Sequence, residues 1–418
     1  GVPAFSQGLP QKDREQLGGE LFALAGRIQR KVAGEDAAGL ARYAQLAGSV
    51  VPTAEVPVED AVLRGLLVIE DLYLKSLSVD ELVGRGAHRA SRAFGAIPAS
   101  AQGVASVVRL SSNDTKKGSE LVSTGLYALP GKPVVVELPE ALADQELSLQ
   151  IGHHLDAKEK TKSFDSMPCS SRRFPLSATS TRAISPHGGL LFVQVPASVG
   201  LKDAKVEIAG AIQAPRFVLG QTTDEEWKSI RNFPGPWGEL ATDNYILVAH
   251  SEALRKLDNP TDLMTWWRGN VAAHEGFYNY SIGKPFRMHT VHYAVRGFST
   301  WPLYETKESV ANLLDLRGIS SYNDGLFLHE HGHHCDSSAM MFGNLGESTP
   351  NWAGYYMKAT NGDFAWKDAE DTHLSRLLSG EGSHQELKQD GWWTTKYTHY
   401  WSYPVTSMMV GYVRGFGW

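Results

Sequence analysis

Cysteine is nearly absent: the 418 residues contain two, Cys169 and Cys335. Two cysteines permit at most one disulfide, and without a CxxC pair a zinc knuckle built on thiolates is excluded. Cys335 lies one residue past a run of histidines. Because thiolate ligands usually come in pairs, it is expected to be half of a bridge or a small core residue rather than a ligand. Long apolar runs are missing as well. None approaches the roughly 18 residues that a spanning helix needs, and "LRGLLVIEDLYL" is interrupted by charge. There is no basic excess; the formal net charge is −6, so nothing argues for nucleic acid. The first residues, "GVPAFSQGLP", lack the basic and apolar regions of a signal peptide and read as a mature or cut N-terminus. The apolar end "MMVGYVRGFGW" has no polar tail, which suggests a chain that ends inside a larger protein.

What is present is ordinary globular composition, 42% hydrophobic and 21% charged, with a length that allows two or three domains. Residues 1–100 read as a helical N-terminal domain, since "REQLGGELFALAGRIQRKV" and "VEDAVLRGLLVIEDLYLKSLSVDELV" repeat apolar residues at three- and four-residue spacing. Residues 101–218 read as an antiparallel β-sandwich, because "PVVVELP", "LSLQIG", "LLFVQVP" and "DAKVEIAGAI" are short runs bounded by turn formers. Residues 219–418 read as a mixed, mainly α-helical domain dense in Trp, Tyr and His. The fold class expected is therefore multidomain α+β. His153 and His154 close a strand and are expected as loop or edge residues, because neighbours on a strand face opposite sides and cannot share one ion.

The chemistry concentrates in "GLFLHEHGHHCDSS", residues 325–338. Within it His329, Glu330 and His333 form H-E-x-x-H. On a helix, positions i and i+4 differ by about 40° of rotation and about 6 Å of rise, so two imidazoles can reach one ion. Glu330 lies about 100° round from His329, where a carboxylate can reach a water on the metal without ligating the metal itself. The spacing predicts a zinc site with a general base in place. Asn323 or Asp324 would cap the helix and Gly343-Asn344 would end it. Gly332 costs roughly 1 kcal/mol of helix propensity relative to Ala, and a small residue there would let another segment approach closely.

A catalytic zinc needs a third protein ligand. His334 faces about 100° away from His333, and Asp336 lies about 10 Å along the axis from His329, better suited to orienting a ligand imidazole. The metzincin pattern fails, with Asp336 where Gly and Ala339 where His is required. In "FGNLGESTPNWAGYY" a turn precedes a second helix with Glu347 near its start. Folded back, that helix would present the carboxylate to the two histidines, a gluzincin-type arrangement. His331 and His334 are then expected at the surface or beside the ligands. Tyr355, Tyr356 or a nearby histidine are candidates to stabilise an oxyanion, and Trp301 and Trp352 to stack on sugars or sit in the core.

"HEHGHH" followed by "GESTPNWAGYY" resembles the enhancin-like metallopeptidases that attack mucins and other O-glycosylated proteins. Glu347 and Asn351 match the E-x-x-x-N helix that follows H-E-x-x-H in that family. "FRMHTVHYAVRGFSTWPLY", "STGLYALPGKPVVVELP" with "LSLQIGHHLD", and "GFGW" are similar to further family segments, so the resemblance covers about residues 120–418. Two features depart from it: Leu326-Phe327-Leu328 stands where many members carry Trp-Gly, and Pro350 interrupts a run of asparagines. The resemblance implies a secreted zinc endopeptidase. It would cut next to O-glycosylated Ser or Thr, with His329, His333 and Glu347 on the metal, Glu330 as base, and Asn351 and Trp352 near the substrate. The competing expectations are a non-catalytic glycan-binding or adhesion protein braced by zinc, and a zinc endopeptidase indifferent to sugar.

Overall fold

The computed structural model describes residues 8–30, 37–113, 115, 118–154, 161–168, 171–281, 283–292, 302–306, 309–316, 326–335 and 350. Helices α1 (Gln11–Arg30), α2 (Ala37–Leu46), α3 (Ala61–Ser76) and α4 (Val79–Arg85) come first, followed by a 3₁₀ turn at Ser91–Phe94. Helix α3 is the apolar centre of this block: Val62, Leu66, Leu67 and Ile69 are fully buried. Asp60 caps it by accepting from the amides of Val62 and Leu63. Small residues set how closely α1 and α3 pack, since a Cβ on Gly65 would lie 2.6 Å from that of Leu21.

An antiparallel sheet follows, made of β1 (Val104–Leu110), β2 (Ser119–Ala128), β3 (Val134–Glu137), β4 (Ser148–Ile151), β5 (Arg172–Pro175), β6 (Ser180–Ala183), β7 (Gly189–Pro196) and β8 (Ala204–Gln213), with a one-turn helix α5 (Glu140–Ala143) between β3 and β4. The strand order is β5-β4-β7-β2-β8-β3-β6, with β1 also on β8. Side chains of β1–β4, β7 and β8 share one apolar cluster, so the sheet wraps round its own core. The antiparallel expectation for this stretch therefore holds, as one continuous sheet.

The described residues beyond it add a second sheet to the helices expected there. Strands β9 (Arg216–Val218), β10 (Trp237–Ala241), β11 (Tyr245–His250), β12 (Phe286–Val291) and β13 (Leu303–Thr306) form a five-stranded sheet, order β13-β12-β11-β10-β9. Only β10 and β11 run antiparallel; the other neighbours are parallel. Helices α6 (Asp224–Ile230), α7 (Ser251–Leu254), α8 (Pro260–Tyr278), α9 (Val310–Leu314) and α10 (Leu326–Cys335) intervene or follow. Asn259 and Pro260 start α8, and Asn279, at φ +48°, ends it in the left-handed region. Trp267 of α8 stacks on Tyr245 of β11 with centroids 4.4 Å apart, fixing the helix on the sheet.

The three blocks meet around Trp237, whose indole N–H donates to the Phe94 carbonyl at 2.6 Å. Imidazoles crowd this junction. His153, His154 and His250 lie 4.6, 4.9 and 5.1 Å from the Trp237 ring, and His292 lies 6.1 Å away. His187 and His292 pack on Phe94, and His88 packs on His187. The edge expectation for His153 and His154 is thus overturned, because both are buried and their centroids are 4.1 Å apart. The cause is Gly152, at φ +90°, which turns the chain off β4 so that the alternation of strand faces no longer applies to the pair.

Candidate active site on helix α10

Helix α10 carries the whole H-E-x-x-H segment without a break, so the i, i+4 spacing of His329 and His333 becomes one helical turn. Glu330 is buried and His333 half-buried. His329 lies on the same helix, its side chain outside the described residues, as are Glu347, Asn351, Trp352, Trp301, Tyr355, Tyr356 and the proposed caps at 323–324 and 343–344. Pro350 is described, and it explains Gly332: a Cβ there would lie 2.7 Å from the Pro350 Cα. The close approach expected at Gly332 is therefore made by Pro350, three residues after Glu347.

The opposite face of α10 is set by His331, expected at the surface or beside the ligands; it is fully buried, which excludes the surface. Position 331 lies about 200° round the helix from both 329 and 333, which turns it away from the face those two share. There its Nδ1 is 2.9 Å from Nδ1 of His274 on α8, and its ring packs 4.4 Å from Phe286 of β12. Burial first, then the neighbouring His274 and His334, holds the His331 imidazole well below the ordinary histidine range. Cys335, one turn further on, is a buried thiol outside any disulfide, with Sγ 3.8 Å from His331 Nε2, so it is a core residue and not half of a bridge. His274, His331 and Cys335 thus converge with donor atoms within 4.8 Å of one another. His274 gave no sequence signal, whereas His331-x-x-x-Cys335 has the same i, i+4 spacing as the motif itself.

The donor set on α10 fits a divalent ion. Two imidazoles one turn apart on a continuous helix have the spacing of a zinc pair, and His331 between them is drawn off to α8.

The sequence matches two family descriptions: the N-terminal domain of M60-like peptidases over residues 103–227, and peptidase M60, enhancin and enhancin-like, over residues 210–401. Among curated proteins, TRPM8 channel-associated factor 1 of Bos taurus is 44% identical over 148 residues, 35% of this chain and 16% of that protein. TRPM8 channel-associated factor 3 of Mus musculus is 32% identical over 237 residues, 54% of this chain and 26% of that protein. The chain therefore spans at most about a quarter of these relatives. Among solved structures, IMPa from Pseudomonas aeruginosa in complex with an O-glycopeptide aligns with 98% of this chain and 52% of its own, at TM-score 0.58 and 15% identity. A functionally unknown conserved protein from Bacillus anthracis aligns with 71% of this chain and 63% of its own, at TM-score 0.55 and 18% identity. These two likenesses are of fold. The two sequence matches overlap at residues 210–227 and together run over residues 103–401, across the sheets and α10, and the chain belongs to the enhancin-like M60 peptidase family.

Proposed function

We propose that this chain carries the catalytic part of a secreted zinc metalloendopeptidase that hydrolyses peptide bonds next to O-glycosylated serine or threonine in mucin-like glycoproteins. The observation that carries the reading is the unbroken helix α10, with Glu330 buried beside the His329/His333 pair. His329, His333 and Glu347 would hold Zn2+, Glu347 arriving with the segment that Pro350 seats against Gly332. When bound, the ion supplies Lewis acidity to the scissile carbonyl and to a water molecule. Glu330 does the proton work. Its carboxylate accepts the proton lost by the attacking water, and the resulting acid returns it to the nitrogen of the leaving amine. Asn351 and Trp352 follow on the same segment, where an amide and an indole suit a sugar's hydroxyls and its apolar face. Support for a glycosylated substrate comes from the family resemblance and from IMPa, a protein of similar fold whose structure holds an O-glycopeptide.

The test pairs one defined O-glycopeptide with its bare counterpart. The glycosylated form is expected to be cut and the bare form spared; equal cutting leaves an ordinary endopeptidase. Glu330→Ala is expected to keep its zinc by elemental analysis and to lose about 10²–10⁴-fold or more in kcat. Retained turnover removes the general-base role. A Glu347→Ala protein that stays fully loaded transfers the ligand role to Asp336.

A second reading rests on the relatives named TRPM8 channel-associated factors, up to 44% identical. On it the chain binds a membrane channel or a glycan, and the metal is a brace. Chelator-insensitive binding that survives Glu330→Ala, with no peptide cleavage, would favour that reading.

A further inference from the structure

The motif accounts for one face of α10; the other face has donors of its own. His331 and Cys335 are one turn apart there, and His274 reaches them from α8. All three are buried, at 0%, 3% and 0% exposure for His331, Cys335 and His274. Aromatic rings wall the cluster: Phe286 packs on His331 and Tyr278 on His274, centroids 4.4 and 5.4 Å apart. Crowding of imidazoles is not by itself enough for a metal. The junction around Trp237 holds more histidines, yet among the described residues only His274, His331 and Cys335 bring three donor atoms within 4.8 Å of one another.

The geometry points to a second metal centre, a His2Cys site for a thiophilic divalent ion such as Zn2+, formed by His274, His331 and Cys335 behind the motif helix. Two Nδ1 atoms 2.9 Å apart share one proton. Zinc–nitrogen bonds of about 2.0–2.1 Å at a tetrahedral angle set two ligand nitrogens about 3.3 Å apart, so an ion can replace that proton with little movement. With one ligand atom taken from each residue, the three lie within 4.8 Å of one another, so the Cys335 sulfur has at most about 1 Å to close to reach the about 3.6 Å that a zinc-bridged nitrogen and sulfur keep. Binding exchanges one proton for the ion: the Cys335 thiol proton is released, and the proton between the two Nδ1 atoms moves to Nε2 of the ring that carried it, so that a thiolate and two neutral imidazoles take up the ion. The soft sulfur selects zinc or cobalt over magnesium or calcium, and the apolar wall keeps competing water out. With one ligand pair on α10 and the third ligand on α8, the ion clamps the motif helix to the helix behind it. The site stands whether or not His329 and His333 hold a catalytic ion.

The test uses the full chain, stripped with a chelator and reloaded with Co2+, a spectroscopic stand-in for Zn2+. The loaded protein is expected to show a thiolate-to-cobalt charge-transfer band in the near ultraviolet and to hold one equivalent beyond that lost in His333→Ala. Cys335→Ser should lose the band and one equivalent, Cys169→Ser should keep both, and His333→Ala should keep the band. A wild-type protein saturated with Co2+ and lacking the band overturns the proposal, even if Cys335→Ser fails to fold. A band that follows Cys169 instead overturns it too. Failure of the motif site would appear separately, as loss of the His333-dependent equivalent with the band intact.

Discussion

Glu239 on β10 is 2% exposed and lies between two guanidinium groups. Its Oε1 accepts from Arg287 Nη1 at 2.9 Å and from the Ser123 hydroxyl at 2.7 Å, while Arg216 Nε stands 3.6 Å from Oε2. Arg287 spends its other nitrogen on the Leu121 carbonyl and Ser123, so these residues stitch the five-stranded sheet to β2. Burying such a pair gains little over an apolar pair of the same shape, but removing one partner strands the other charge. Glu239→Ala is therefore expected to cost about 3–5 kcal/mol in urea unfolding. Asp80→Ala, which breaks the exposed Arg182–Asp80 pair, should stay within about 0.5 kcal/mol. A Glu239→Ala loss as small as the surface one would mean that Arg287 finds water or another acceptor.

Among the elements, α10 is the one whose position decides the chemistry, and glycine reports how it is held. Gly269, inside α8, has no described atom within 4 Å of where a Cβ would sit. Gly269→Ala should therefore gain about 0.5–1 kcal/mol from helix propensity. Gly332→Ala is expected to have the opposite sign. Its Cβ would meet the backbone of Pro350, which cannot swing aside as a side-chain tip can, and overpacking costs about 1–3 kcal/mol. The same wedge would push away the segment that carries Glu347, so metal content should fall alongside stability. A Gly332→Ala protein as stable and as metal-rich as its parent would show that Pro350 does not hold that segment against the helix. The glycine was legible in the sequence, as was the motif helix, because ligand spacing and helix period coincide there. Strands β10, β11 and β12 were not. "WGELA", "YILVAH" and "FRMHTV" are buried on nearly every residue, and a strand covered on both faces loses the alternation that marks it. The inward turn of His331 was hidden for another reason: its partner, His274, is 57 residues away in sequence.

At the scale of the molecule, the blocks are joined through imidazoles that must stay neutral. Burial pushes His153 down to about 3, against a weaker opposing hydrogen bond to the Thr290 carbonyl and with His292, Arg287 and His250 adding repulsion. Burial likewise holds His154, His187 and His289 well below the ordinary range. The charges that face this junction include Asp165, 3.3 Å from His292, and the Glu70–Arg89 pair beside His88. Asp165 is the carboxylate that faces the His292 side, and Glu70 is already engaged by Arg89. In the unfolded chain each of these histidines takes up a proton near pH 6.5, while in the folded chain it does not until far lower pH. Between those limits the unfolded state binds more protons, so stability rises with pH and is lost as pH falls below about 6.5. Each such histidine contributes a slope of at most about 1.4 kcal/mol per pH unit, and four together approach about 5. Urea unfolding at pH 8, 6.5, 5.5 and 5 should therefore show a plateau above neutrality and a steep decline below 6.5, before most carboxylates titrate. Replacing His187, which makes no ring hydrogen bond to a described residue, by Gln should flatten that decline by about one proton's worth. A stability that stays level from pH 8 to pH 5 would mean that the junction opens to water and lets its histidines titrate as they do in the unfolded chain.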